Sequence, residues 1–481
     1  MEEEAQINRV IMASSSSESP HVVILPFMAK GHTIPLLHLT RLLFLRRSNI
    51  AVTIFTTHAN SPFIRQSLYD TKASIIDLTF PQNFHPEIPE GVESVDKLPS
   101  QSLLVPFAKG TKFLQPQFDV ILESLRPNVS CIISDVFFPW SMEIASKLSI
   151  PRLDFDGASN FAMVFYDILM SQEFPVGSDD EPFSVIPSLP NIKLTKNDIE
   201  PEFSHPQPGE HTDFYTEVVM ATNKSKGIIR NSFYELEPEF VDYWNKENSP
   251  KAWSVGPLCL LATKVLSLEK PMWIQWLDEM LEKEKSVLYV AFGSLAEVTI
   301  EQFREIAIRL ENSGEHFLWV LRLPSIMEDE FMSGFEERVK GRALLVKNQW
   351  VDQLGILSHE CVKGFMSHCG WNSVLESVCE SVPLLGFPIL ADQHLNARMV
   401  EEYFGIGVKV VARNGSVRGL FGSECIENKV KELMDIEGEK GKAMRKNVQE
   451  FNEMARNAMV EGGSSWLTLN LLIDEVICNK N

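Results

Sequence analysis

A histidine and an aspartate stand just beyond two apolar runs in the first third of the chain. HVVIL at residues 21–25 leads through Pro26 into a loop carrying Gly31 and His32, and VSCIIS at 129–134 runs directly into Asp135. If both runs are strands of one parallel sheet, both polar residues lie on the edge where α/β sheets bind ligands. A carboxylate beside an imidazole holds its tautomer and stabilises its protonated form, so His32 and Asp135 together could be a general base and its orienting partner. Taken singly, each has a plainer reading as a solvated or capping group.

A second constellation occupies residues 350–393. The apolar run 362–366 is followed at once by Ser367, His368, Cys369 and Gly370, then by a helical pattern from Asn372 through Cys379. Strand, tight turn and helix in that order aim unpaired backbone N–H groups at an anion, and a phosphate fits there. His368 and Asn372 lie at the turn, Glu376 one helical turn on, and Asp392 and Gln393 after the next apolar strand, so these side chains could converge on one ligand.

Other motifs are weaker. The dinucleotide fingerprint G-x-G-x-x-G and the Walker loop are both absent, which sets aside nicotinamide and ATP readings. Asp154-Phe155-Asp156 matches D-x-D, the metal pattern of another class of sugar transferase, but it equally reads as a strand running into a loop. His359 and Cys361 are separated from His368 and Cys369 by an apolar strand, which argues against zinc. No metal is expected. Phe137 and Phe138, with Phe161 further on, read as core residues that could also line an apolar pocket beside Asp135.

The elements that must position these residues alternate between strand and helix patterns. Strands are predicted at 21–25, 51–57, 74–80, 129–134, 151–155, 227–233 and 252–255, and a helix begins at 34. The periodicity lapses over 256–270 and a second series follows, with strands at 286–292, 316–322, 343–346, 362–366, 383–387 and 408–411 and a capped helix after Thr299. The fold class is therefore α/β with two Rossmann-like parallel-sheet halves. The expected division is a disordered tail at 1–20, a domain at 21–255, a linker at 256–270, a second domain at 271–460 and a final helix at 461–481.

Composition agrees with this. A chain of 481 residues with 44% hydrophobic content can bury two ordinary cores. A net charge of −21 leaves no basic excess for nucleic acid. Seven dispersed cysteines without a C-x-x-C pair suit a reduced, cytoplasmic protein. No run approaches the ~20 apolar residues of a membrane span, and the N-terminus lacks a signal-peptide pattern.

Residues 350–393 closely resemble the signature box of plant UDP-dependent glycosyltransferases, with HCGWNS at 368–373 and Trp350, Gln353, Glu376, Pro383, Asp392 and Gln393 at the family's offsets. The resemblance extends from about residue 21 onward and implies a GT-B fold: two Rossmann-like domains facing across a cleft, the acceptor held by the first and the UDP-sugar by the second. The final helix would cross back onto the first domain. It implies that Trp350, beside Val351, stacks on uracil and that Gln353 and Glu376 hold the ribose. Ser294, His368, Asn372 and Ser373 would contact the diphosphate, and Trp371, Asp392 and Gln393 the sugar.

The implied reaction is inverting, metal-independent transfer of glucose from UDP-glucose to a hydroxyl of a small lipophilic acceptor, with His32 and Asp135 as the catalytic pair and Phe137, Phe138 and Phe161 near the acceptor. No cofactor is expected, and the protein is expected to be a monomer. Two readings compete: a catalytically silent UDP-sugar or small-molecule binder, which the presence of both His32 and Asp135 disfavours, and a nucleotide-sugar isomerase. The box departs from its pattern twice, with Asp352 where proline is usual and Ser381 where glycine is usual.

Overall fold

The computed structural model describes residues 19–171, 178, 181–184, 186, 192–199, 207–262, 270–293, 298–322, 330–411 and 423–478. Nearly all of the expected tail and residues 263–269 of the expected linker lie outside this range.

The first half builds one parallel sheet from β1 (His21–Leu25), β2 (Ala51–Thr57), β3 (Ser74–Leu78), β4 (Cys131–Asp135), β5 (Arg152–Asp156), β6 (Gly227–Arg230) and β7 (Ala252–Ser254), in the order β3-β2-β1-β4-β5-β6-β7. The second half builds another from β8 (Val287–Ala291), β9 (His316–Leu321), β10 (Ala343–Lys347), β11 (Val362–Ser367), β12 (Leu384–Gly386) and β13 (Gly407–Lys409), in the order β10-β9-β8-β11-β12-β13. Strands β1 and β8 are buried at every position, as continuous apolar runs must be when helices cover both faces.

Each sheet reverses direction beside its first strand. β1 lies between β2 and β4, and β8 lies between β9 and β11. A crevice opens at such a reversal because the flanking crossovers go to opposite faces. The residues that follow β1, β4, β8 and β11 therefore share one location, the cleft between the two sheets.

The helices that shape this cleft are α1 (Lys30–Arg46), α2 (Asn160–Ser171), α3 (Glu210–Lys224), α4 (Gln353–Leu357), α5 (Trp371–Cys379), α6 (Gln393–Arg398), α7 (Glu439–Met459) and α8 (Ser464–Leu472). Helix α1 starts one turn earlier than the sequence suggests, so His32 sits in its first turn and Pro35 inside it. Proline has no N–H for the carbonyl four residues back, which is a reason to expect a helix boundary nearby. Here the carbonyl left over is that of Gly31, and Asn372 of the second half donates to it through Nδ2 at 2.6 Å.

Both departures in the box have local accounts. Asp352 is the N-cap of α4, its Oδ1 accepting from Gly355 N–H at 3.1 Å, so a capping bond replaces a fixed proline φ. Ser381 adopts φ +56° just past α5, where Val382 N–H bonds Ser377 O at 3.0 Å and Ser381 N–H bonds Val378 O at 3.2 Å. This is a Schellman closure, and a serine there costs about 1 kcal/mol relative to an unstrained residue.

Helix α8 and the turn after it return to the first sheet. Leu469, Leu472, Ile473, Val476 and Ile477 share a core with Val22, Ile24 and Ile54. Ser465 Oγ donates to Gly256 O at 2.5 Å, and Arg47 pairs with Asp474 at 2.9 Å. No helix among the described residues is long and apolar enough to cross a membrane.

Candidate active site

The cleft has a cavity volume of about 610 Å³ and draws its walls from both halves. On the first-sheet side, His32 Nδ1 lies 2.8 Å from Asp135 Oδ2. A carboxylate accepts, so Nδ1 carries the hydrogen and Nε2 is left basic. Asp135 is completely buried, and its Oδ1 accepts from Phe137 N–H at 3.0 Å. Burial works against a charged imidazole, yet the charge and hydrogen bond of Asp135, helped by Asp156 and Asp392, raise the His32 pKa above its ordinary value. The Phe137 ring stacks on the imidazole, with centroids 5.3 Å apart.

On the second-sheet side, β11 ends at Ser367 and the chain turns through His368, Cys369 and Gly370 into α5. Cys369 is held at φ +60° and is fully buried. His368 is pushed down to a pKa of about 4 by burial and is therefore neutral, and its Nδ1 has no hydrogen-bond partner among the described residues. A buried ring nitrogen without a partner beside a helix N-terminus suits an anionic oxygen. Side chains at Gly293 and Gly370 would collide with the His368 ring at 2.7 and 2.6 Å, so both glycines permit its position.

Trp350 is 53% exposed and faces the cleft with Val351, Gln353, Ser373 and Glu376. Gln353 Nε2 donates to Glu376 Oε2 at 2.6 Å and to Ser373 Oγ at 3.0 Å, while its Oε1 accepts from Tyr289 at 3.2 Å. Burial raises the Glu376 carboxyl to about 7. Asp392 is raised to about 6 by burial, and Asn396 opposes that with a hydrogen bond. Gln393 Oε1 accepts from Ile389 and Leu390 N–H, which leaves the Nε2 end as the amide's donor toward a ligand.

Two of the expected site residues also bind the two halves together. The Trp371 indole N–H donates to Asn231 O at 2.8 Å, so toward a sugar this residue offers ring and backbone rather than its indole hydrogen. Asn372 Nδ2 donates to Gly31 O, and its Oδ1 accepts from Asn231 Nδ2 at 3.0 Å, so both ends of its side-chain amide are engaged with the first half. Ser294 lies outside the described residues.

Of the three phenylalanines expected near an acceptor, only Phe137 faces the cleft. Phe138 is fully buried against Phe27 and Trp140, because consecutive residues after β4 point to opposite sides. Phe161 lies on the inner side of α2 against Phe240, while Met163, Tyr166 and Asp167 of the same helix reach the cleft.

Sequence reasoning also missed Asn231, although it follows strand β6 as Asp135 ends β4, and Tyr215 and Val218 of α3, which come from a polar stretch without a strand-end signal. The D-x-D carboxylates are each engaged by an arginine. Asp154 Oδ1 pairs with buried Arg152 at 2.7 Å, and Asp156 Oδ2 with Arg230 at 2.7 Å. No group of three or more potential metal ligands occurs among the described residues.

Comparison with known proteins accords with this geometry. The family model "UDP-glucoronosyl and UDP-glucosyl transferase" matches residues 211–450. UDP-glycosyltransferase 90A1 of Arabidopsis thaliana is 46% identical, covering 97% of this chain and 98% of its own. UDP-glucose flavonoid 3-O-glucosyltransferase 7 of Fragaria ananassa is 35% identical with the same coverages. The solved structure of UGT73P12 of Glycyrrhiza uralensis, in complex with glycyrrhetinic acid 3-O-monoglucuronide, superposes with a TM-score of 0.84 at 32% identity over 95% of each chain. UGT2 of Phytolacca americana, in complex with UDP-2fluoro-glucose and pterostilbene, does so at 0.76 and 28% identity over 95% of this chain and 99% of that one. A cleft between two parallel sheets, with a His–Asp pair on one wall and an anion-ready helix N-terminus on the other, thus belongs to a GT-B enzyme, and this chain is a member of the plant family 1 UDP-glycosyltransferases, which transfer a sugar from a UDP-sugar to a small-molecule acceptor.

Proposed function

We propose that the enzyme transfers glucose from UDP-glucose, with inversion, to a hydroxyl of a small lipophilic acceptor such as a plant phenolic. The observation that carries this reading is the His32–Asp135 pair at 2.8 Å, facing the residues of the signature box across one cleft. His32 Nε2 takes the acceptor's proton as its oxygen attacks the anomeric carbon, and Asp135 stabilises the resulting imidazolium. The bond from that carbon to the diphosphate oxygen breaks on the opposite face, and UDP leaves with the electron pair. The transition state has oxocarbenium character, and charge that builds on the diphosphate meets the N-terminal N–H groups of α5.

The donor roles are those the resemblance implies, and each suits the chemistry of its residue. Trp350 offers a face for uracil, Gln353 and Glu376 hydrogen-bond the ribose, and His368, Ser373 and the backbone at Asn372 face the phosphates. Asp392 and the Gln393 Nε2 end hold sugar hydroxyls, an amide being the choice expected for glucose. Apolar Ile34, Val136, Phe137 and Met163 suit a lipophilic acceptor. The proposed division into an acceptor domain at 21–255 and a donor domain at 271–460, closed by a helix at 461–481, has the support that the strands of each sheet fall within these bounds and that α8 packs on the first core.

The test is a single variant, one product and a comparison of two donors. His32→Ala should lower turnover by roughly 10²-fold or more while UDP binding by calorimetry stays unchanged; retained turnover removes His32 as the base. The wild-type product formed from the α-linked donor should be a β-glucoside by NMR coupling constant. UDP-glucose should outperform UDP-galactose, and a reversed donor order would refute the glucose reading.

A further inference from the structure

The loop after β5 and helix α6 belong to different halves, yet they share a buried chain of hydrogen bonds. Ser159 Oγ donates to Asn396 Oδ1 at 2.9 Å, and Asn396 Nδ2 donates to Asp392 Oδ2 at 2.9 Å and to Cys369 O at 3.0 Å. Ser159 and Asn396 are both completely buried. Ser159 Oγ also accepts from Ala162 N–H at 3.1 Å, which leaves its proton for Asn396. One carbonyl oxygen and two amide hydrogens are all that an asparagine side chain offers, and here each has a partner. A flipped amide would set its oxygen against the Asp392 carboxylate and the Cys369 carbonyl, so the network admits one orientation.

Of the two groups that Asn396 holds, one lines the cleft and the other belongs to a turn whose flanking residues, His368 and Gly370, line it. Asp392 lines the cavity, and Cys369, at φ +60°, forms the turn between His368 and Gly370. Asn396 itself does not line the cavity. We propose that Asn396 is a positioning residue for sugar transfer: it holds the Asp392 carboxylate in fixed relation to the His368–Gly370 turn, in an orientation that Ser159 sets from the opposite domain. Productive sugar binding is thereby tied to apposition of the two domains. This rests on the reading of Asp392 as a sugar ligand.

The electrostatics fit this role. Burial draws Asp392 toward its neutral form and the neighbouring Asp156 does the same, while the Asn396 bond and the charge of His32 favour the carboxylate. Without the amide donor the group shifts toward a carboxylic acid, which loses an acceptor for sugar hydroxyls.

The experiment measures KM for UDP-glucose, Kd for UDP and the pH dependence of KM in Asn396→Asp, Ser159→Ala, their double variant and Asp392→Ala. Asn396→Asp keeps the size and the acceptor for Ser159 but loses both N–H donors. The expected result is a rise in KM for UDP-glucose of about tenfold or more beyond any change in Kd for UDP, which carries no sugar. The pH below which donor binding weakens should also move up. Ser159→Ala should raise KM by about threefold to tenfold in the wild-type background and add nothing to Asn396→Asp.

The proposal is overturned if Asn396→Asp leaves KM for UDP-glucose unchanged while Asp392→Ala raises it, or if KM for UDP-glucose and Kd for UDP rise together as in a general loosening. An unchanged KM in Asp392→Ala overturns the sugar-ligand reading and the proposal with it. If Asn396→Asp fails to fold, Ser159→Ala decides: an unchanged KM overturns the proposal and a selective rise supports it.

Discussion

At His32 two opposing influences act on one proton. Burial favours the neutral imidazole, and Asp135 at 2.8 Å favours the charged one and prevails. A base must be neutral to act, so a raised pKa means that activity climbs as pH rises through a value above the ordinary 6.5. Asp135→Asn removes the charge and most of the upward influence, so the acid limb of kcat/KM should move to lower pH while kcat falls about 10²-fold or more. A limb that stays in place would show that another group titrates. That His32 and Asp135 share one edge of the sheet was legible from the strand ends, because an α/β sheet puts its ligands there whatever the side chains are. The acceptor wall was not: Phe137 and Phe138 are adjacent in sequence and only one faces the cleft, a distinction made by the local turn after β4.

Element α1 shows why a boundary can be misplaced for a functional reason. Pro35 argues for a helix that begins near it, since the interior of a helix does not tolerate a missing N–H without cost. The structure extends α1 back to Lys30 because the carbonyl released at Gly31 is taken by Asn372 of the other domain. The apparent defect thus frees an acceptor one residue from His32. Pro35→Ala would restore an N–H that competes for Gly31 O. The expected outcome is a helix more stable by up to about 3 kcal/mol by propensity, seen as a higher melting temperature, together with a lower kcat/KM from a loosened contact between the domains. Stability and activity rising together would refute this account of Pro35. By the same logic the strands of the second half were legible because buried parallel strands are uninterrupted apolar runs. Helix α3 was not, since only Phe214, Val218 and Ala221 among its assigned positions are buried and most of its surface is polar.

At the scale of the whole molecule, the chain finishes its first domain with its last helix. Leu472 is 1% exposed and packs with Leu469 and Ile473 against a core built around Val22, Ile24 and Ile54. Contacts between sequence positions so far apart close only after the second domain has been traced, which couples the two halves without any contribution from the cleft. Leu472→Ala leaves a cavity in that core and should cost about 2–5 kcal/mol, the usual range for such truncations. On the proposed division UDP binds the other domain, and distant sites contribute to stability nearly additively. The variant should therefore melt at a lower temperature both with and without saturating UDP, and the increase that UDP produces should be the same as in the unmodified enzyme. A smaller increase would mean that α8 shapes the donor site as well as the acceptor domain, and the division of labour between the two domains would have to be redrawn around the cleft rather than around the sheets.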